Sequence, residues 1–321
     1  MNSKLLSILL LASFSFANDP IQTYQEVGIK ALEASYDKIL ASKSYWDDRI
    51  GDKNISMGYY SDFDTILYCN KERAVIARYS IDSNHSVKAA HKNSTFLGKK
   101  AGDKQVEGDL KTPVGVYKLT KKLAHVDPFY GPLALVTNYP NNYDKVLGKN
   151  GSGIWIHGLP FEGDRDTFTK GCLAIDNQEL VDLEKSIDHK KTALLISPSK
   201  LITMKKEQLS AILSQLYKWR NAWKYNNLEE YLSFYNKNFK RYDHVGLTQF
   251  KLFKENIFTN KFKKQIDFNH INVIPYPNEE NRNIFVISFI EDYKARNTSF
   301  HGFKELYVEL QDNNISILTE K

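Results

Sequence analysis

The chain has 321 residues, a formal net charge of +6 at pH 7, and a composition that is 42% hydrophobic and 26% charged. That length accommodates two domains with sizeable cores, and that composition excludes a disordered or fibrous chain. The basic excess is spread thinly, with no long Lys/Arg run, which argues against a nucleic-acid partner and fits an acidic one such as a polyanionic envelope polymer.

Residues 1–17, MNSKLLSILLLASFSFA, have the pattern of a secretory signal. Lys4 supplies the positive start, Leu5 to Phe16 the short apolar stretch, and Ser15 and Ala17 the small residues at −3 and −1 of a cut before Asn18. The stretch is too short to span a bilayer comfortably, and no later run is long and apolar enough to do so. The mature protein is therefore expected to be exported, to the periplasm, in soluble form. Export would permit a disulfide, but Cys69 and Cys172 lie far apart and the sequence leaves open whether they meet.

Residues 18–60 form a helical segment in this reading. Ala31, Leu32, Ala34, Ile39 and Leu40 recur at near-helical spacing over 20–46. An exposed helix there could pack on its own domain or on a second copy, making a homodimer. From 61 to 202 the pattern is β-like. TILYC, AVIARYSI, GVYKLTKKL, ALVTNYP and GIWIHG are rich in β-branched and aromatic residues and are separated by turn formers. DNQELVDLEKSI reads as a helix, with Asp176 as N-cap and Glu179 three residues on, and KTALLISP as a closing strand. Cys69, in the first of these strands, reads as a buried or edge-strand thiol. From 203 to 321 the texture changes to aromatic-rich helices, with Trp219 and Trp223 on one face, followed by four alternating strands. Helices first and an antiparallel sheet after indicate a second, α+β domain.

The stretch that carries chemistry is Ile154 to Ile175, IWIHGLPFEGDRDTFTKGCLAI. A thiol is mostly protonated at neutral pH, and a histidine can take its proton and leave a thiolate–imidazolium pair. The imidazole needs a third group to orient it. His157 ends an apolar run, and the carbonyl of Gly158 can lie close to its ring. Gly171 allows an open turn before Cys172, from which the N–H groups of Gly171 and Cys172 could face a developing oxyanion. A metal would need a third ligand such as His125, Asp164 or Asp166, and no ligand spacing supports one. His85, His91, His189, His244, His270 and His301 stand in no motif.

His157-Gly158 followed by Thr169-Lys170-Gly171-Cys172 resembles the signature of the L,D-transpeptidase catalytic domain, also called the YkuD domain. Two upstream blocks, GDKQVEGDLKTPVGVYKL from Gly102 to Leu119 and YPNNYDKVLGKNGSGIWIHG, resemble further runs of the same family in the same order. The resemblance implies a mainly β, sandwich-like catalytic domain with Cys172 as nucleophile, His157 as base and the Gly158 carbonyl orienting the imidazole. It implies no metal or organic cofactor. The implied substrate is the stem peptide of peptidoglycan, cut after meso-diaminopimelate.

Two positions depart from cross-linking members, which usually carry His and Arg where this chain has Lys170 and Ala174. Lys149, Arg165 and Lys170 are the cations placed to hold a substrate carboxylate. Downstream, LYKWRNAWKYNNLEEYLSFYNKNF resembles the opening helices of an NTF2-like domain, a cone with a pocket. The combination is similar to exported L,D-carboxypeptidases that set helical cell shape and trim a tetrapeptide stem to a tripeptide. A transpeptidase making 3–3 cross-links, or attaching a protein to murein, would use the same residues. A scaffold binding glycan on Trp219, Trp223, Tyr225 and Tyr231 would use none of them. Asn54, Asn84 and Asn314 each lie in Asn-x-Ser with an aspartate two before, which resembles the extended acceptor sequon of bacterial N-glycosylation.

Overall fold

The computed structural model describes residues 20–163, 166–201 and 203–321. The expected signal segment and Arg165 lie outside the described residues.

The N-terminal segment is two helices rather than one: α1 (Pro20–Leu40), interrupted at Gly28, and α2 (Lys43–Ile50). α1 is held to the C-terminal half by one buried carboxylate. Asp37 meets Lys224 Nζ and the Tyr225 hydroxyl at 2.6 Å each, and pairs with Arg220. Near the Gly28 interruption and before it, Ile21, Tyr24, Val27 and Ile29 are exposed.

An eight-stranded sheet follows, built from β1 (Thr65–Asn70), β2 (Val75–Ile81), β3 (Val87–Ser94), β4 (Gly115–Leu123), β5 (Ala134–Thr137), β6 (Trp155–His157), β7 (Leu173–Ala174) and β8 (Thr192–Ser197). The order is β3-β2-β1-β8-β4-β5-β6-β7. β1 with β8 and β6 with β7 are parallel pairs, and the others are antiparallel. Phe96, just past β3, pairs through both backbone groups with Ala174 of β7, at 2.7 and 2.9 Å. This contact ties the last strand to the segment that follows the first.

Alternation along β1 explains why its whole run is apolar. Leu67 and Cys69 point into a core with Tyr117, Leu135, Ile156, Leu173 and Leu194. Ile66 and Tyr68 point the other way, into a core shared with Ile274, Val286 and Tyr307 of the C-terminal sheet. Both faces are covered, so the strand has no polar side. Two short helices complete this half: α3 (Asn142–Val146) and α4 (Asn177–Lys185). Asp176 caps α4, accepting from the N–H groups of Gln178 and Glu179.

The C-terminal half packs α5 (Lys206–Lys224), α6 (Leu228–Ser233) and α7 (Leu247–Thr259) on an antiparallel sheet. Its strands are β9 (Lys264–Pro275), β10 (Ile284–Ala295), β11 (Thr298–Gln311) and β12 (Asn314–Glu320), in the order β12-β11-β10-β9. Trp219 and Tyr231, read above as available for stacking, are fully buried in this core, and their rings stack on each other at 5.7 Å. The halves also meet through polar contacts: Asn141 Nδ2 donates to the Tyr276 hydroxyl at 3.0 Å, and Asn142 Nδ2 to Glu305 at 2.8 Å.

Candidate active site

β6 and β7 lie side by side, with Ile156 opposite Leu173 and His157 opposite Ala174. Ile156 and Leu173 are fully buried. Since side chains alternate along a strand, His157 and Cys172 fall on the other face of this pair. The Ile175 N–H donates to the His157 carbonyl at 3.0 Å and carries the parallel register past the end of β7.

His157 is 2% exposed, and its Nδ1 lies 2.7 Å from the Gly158 carbonyl oxygen. A carbonyl only accepts, so Nδ1 is the protonated nitrogen and Nε2 the basic one. The Tyr130 ring meets the imidazole edge to face at 5.0 Å. Behind the ring, the Gly158 N–H donates to the Tyr130 carbonyl at 2.9 Å, and Asn177 Oδ1 accepts from the Leu159 N–H at 2.7 Å. Position 158 must be glycine, because a Cβ there would run into Asn177 Oδ1 and lie 2.9 Å from Pro132 Cδ.

Cys172 is half-buried, and its thiol donates to the Gly153 carbonyl at 3.3 Å. Gly171 before it has φ of 135°, and a Cβ there would sit 2.8 Å from the Lys111 carbonyl oxygen. Thr169 staples the turn: its Oγ1 accepts from the Gly171 N–H at 3.0 Å and donates to the Cys172 carbonyl at 2.8 Å. The Gly171 N–H is thus engaged within the turn, which corrects the expectation that it faces an oxyanion.

Lys149 differs from expectation too. It is 7% exposed, and its Nζ lies 2.6 Å from Asp103 Oδ2 and 2.8 Å from Asp144 Oδ1. Burial opposes the ammonium, but the Asp144 and Asp103 carboxylates outweigh it and raise its pKa. A cation enclosed in this way has no reach left for a substrate carboxylate, so its part is structural. Asp144 Oδ2 also accepts from the Tyr117 hydroxyl at 3.0 Å, and Asp103 Oδ1 accepts from the Val114 N–H at 2.8 Å. Lys170 is exposed beside Gly171. Cys69 is fully buried in β1, where burial pushes its thiol up to about 12, against the pull of Lys71. The two cysteines are not joined.

Sequence reasoning missed Thr169, Asn177, Tyr130, Asp103 and Asp144. Thr169 carried a signal, as the first residue of the Thr-x-Gly-Cys block. Asn177 was hidden as a helix-start residue, and the two aspartates lie 46 and 5 positions from Lys149.

The C-terminal half holds a cavity of about 460 Å³ whose walls include Trp223, Phe262, Tyr293 and Lys304. Glu291 at its wall is 1% exposed, and burial raises its pKa. Lys254, beside the Trp223, Tyr231 and Phe250 rings, is pulled down to about 8 by burial.

Comparison with known proteins adds to this geometry. Residues 64–196 match the model of the L,D-transpeptidase catalytic domain, YkuD, and residues 211–321 match that of the Cds6 C-terminal NTF2-like domain. Among solved structures, the helical cell shape determining protein Pgp2 from Campylobacter jejuni is 42% identical with a TM-score of 0.82, over 88% of this chain and 99% of that one. A point variant of Pgp2 gives 41% and 0.84 over the same shares. Bd1075 of Bdellovibrio bacteriovorus shares the fold at 23% identity and a TM-score of 0.66, over 83% of this chain and 95% of that one. YafK of Escherichia coli strain K12, which carries the L,D-transpeptidase name, is 33% identical over 82 residues, 26% of this chain and 30% of its own length. This chain therefore spans less than a third of that relative. No helix among the described residues is long and apolar enough to cross a membrane.

Proposed function

The chain belongs to the L,D-transpeptidase family, in an architecture that appends an NTF2-like domain, and from that membership we propose a periplasmic peptidoglycan L,D-carboxypeptidase. It would remove the terminal D-Ala from tetrapeptide stems and so act on cell form, in line with its similarity to Pgp2, a helical cell shape determining protein. The observation that carries the reading is the 2.7 Å contact that sets His157 Nδ1 on the Gly158 carbonyl, with Cys172 on the same face of the β6–β7 pair.

In this mechanism His157 Nε2 takes the Cys172 thiol proton, and Sγ attacks the carbonyl carbon of diaminopimelate. The Cys172 N–H supports the tetrahedral oxyanion. The C–N bond to D-Ala breaks, and the leaving amine takes the proton from His157. Water then attacks the thioester and gives its proton to His157, which returns it to the sulfur as the tripeptide leaves.

The half-buried Cys172, rather than the enclosed Cys69 with its raised pKa, is the nucleophile in this proposal. Lys170 is the exposed cation nearest in sequence and is assigned to the stem-peptide carboxylate. The C-terminal cavity would hold a second wall fragment or glycan. The exposed face of α1 is offered as a homodimer contact.

Purified protein incubated with disaccharide-tetrapeptide should release D-Ala, and Cys172→Ala protein should not. Recovery of 3–3 linked dimers alone would favour the transpeptidase. A Cys172→Ala chain that restores full function in cells would favour the scaffold.

A further inference from the structure

Two consecutive peptide groups flank Gly158, and both ends of each are engaged. In the first, the His157 carbonyl accepts from the Ile175 N–H at 3.0 Å, and the Gly158 N–H donates to the Tyr130 carbonyl at 2.9 Å. In the second, the Gly158 carbonyl lies 2.7 Å from His157 Nδ1, and the Leu159 N–H donates to Asn177 Oδ1 at 2.7 Å. A peptide group is planar, so an acceptor fixed on its N–H also fixes the direction of its carbonyl. Asn177 therefore sets the plane of the peptide group whose carbonyl orients the imidazole.

The surroundings are built around this oxygen. A Cβ at Gly131 or at Gly158 would strike Asn177 Oδ1, so two glycines clear the space it occupies. Asn177 is the first residue of α4, which Asp176 caps and which buries Leu180 and Leu183 in the core. The carboxamide is thereby held by a packed helix rather than by a loop. Asn177 also follows Cys172 on the same short segment. That segment carries the nucleophile and grips the chain around the base at two points, Ile175 and Asn177.

Hydrogen bonds in a chain polarise one another. An acceptor on the Leu159 N–H shifts electron density toward the Gly158 oxygen and makes it a better partner for Nδ1–H. We infer that Asn177 is a positioning residue for His157, acting through the peptide group between Gly158 and Leu159. It keeps the proton on Nδ1 and leaves Nε2 as the basic nitrogen toward Cys172. A neutral carboxamide does through a peptide group what the carboxylate of a Ser-His-Asp triad does directly. The inference rests on the reading of Cys172 and His157 as the catalytic pair.

The test compares Asn177→Ala with Asn177→Asp, which keeps the acceptor and adds an anion at a helix start, where one is favourable. In a Cys172→Ala background, nitrogen-15 histidine NMR reads the His157 ring, identified by the signal lost on His157→Gln. Asn177→Ala should lower the population of the Nδ1–H tautomer. Asn177→Asp should keep that tautomer and move the Nδ1 proton downfield, because a charged acceptor polarises the peptide group more strongly. With Cys172 retained, Asn177→Ala should lower kcat for D-Ala release by about tenfold or more while KM stays within about threefold. Asn177→Asp should restore the rate. A His157 signal unchanged in both variants, or an unchanged kcat in Asn177→Ala, overturns the inference. If Asn177→Ala does not fold, Asn177→Asp decides alone, and an unmoved Nδ1 proton overturns it. A parent enzyme that releases no D-Ala would instead sink the carboxypeptidase reading, and the NMR comparison would still decide the role of Asn177.

Discussion

Lys149 Nζ and Asp144 Oδ1 lie 2.8 Å apart, with side chains 4% and 0% exposed. The pair sits just before the segment whose Gly153 carbonyl accepts the Cys172 thiol. Removing one partner of a buried pair leaves the other uncompensated, at about 3–5 kcal/mol. Lys149→Ala should therefore cost the protein about that much in urea unfolding. A loss below about 1 kcal/mol, the value of an exposed pair, would show that Lys149 is solvated.

Gly171→Ala tests the turn. Its φ of 135° and the 2.8 Å approach to the Lys111 carbonyl leave no place for a methyl group. The turn should shift and carry Cys172 with it. A displacement of about 1 Å at a reacting group costs about 100-fold in rate. D-Ala release should fall by about that factor. An unchanged rate would mean that the turn does not position the nucleophile.

Thr169→Val removes the hydroxyl that accepts from the Gly171 N–H and donates to the Cys172 carbonyl. Leaving those groups unpaired in a buried turn should lower stability by about 1–3 kcal/mol. It should also lower kcat more than it raises KM, because the stem peptide's other contacts remain. Thr169→Ser, which keeps the hydroxyl, should restore both.

Asp37 gives the pH prediction. Burial raises its pKa, but hydrogen bonds from Lys224 and Tyr225 and the charge of Arg220 win, and the net shift is downward. A depressed folded pKa means the contribution is complete above the unfolded value, about 3.9, and is lost as pH falls through the folded one. The stability gap between wild type and Asp37→Asn should be constant near neutrality and narrow below about pH 4. A gap that does not change with pH would show that the Asp37 charge is not what ties α1 to α5.

Much of the fold was readable because local pattern and tertiary environment agree. TILYC and KTALLISP are mostly apolar, and the strands they mark, β1 and β8, are buried on both faces. Asp176 is the N-cap that its type and place suggest. The elements that escaped notice depend on partners. β3 reads VKAAHKNS, a charged sheet edge with only Val87 and Asn93 buried. β7 has two residues and exists because β6 and Phe96 lie on either side of it. α7, LTQFKLFKENIFT, buries only Phe250, Lys254 and Phe258, too sparse a stripe to stand out.

The sequence by itself determined that His157 is followed by a glycine whose carbonyl can hold the ring, and that Cys172 closes a Thr-x-Gly-Cys turn. These are local facts of covalent neighbours and short spacings. Only the tertiary structure decided what Lys149 and Gly171 do. The ammonium of Lys149 is enclosed by Asp103, 46 positions away, and the Gly171 N–H is taken by Thr169. A polar group's role depends on which partners surround it and how much water reaches it, and the distant contacts of the fold set both.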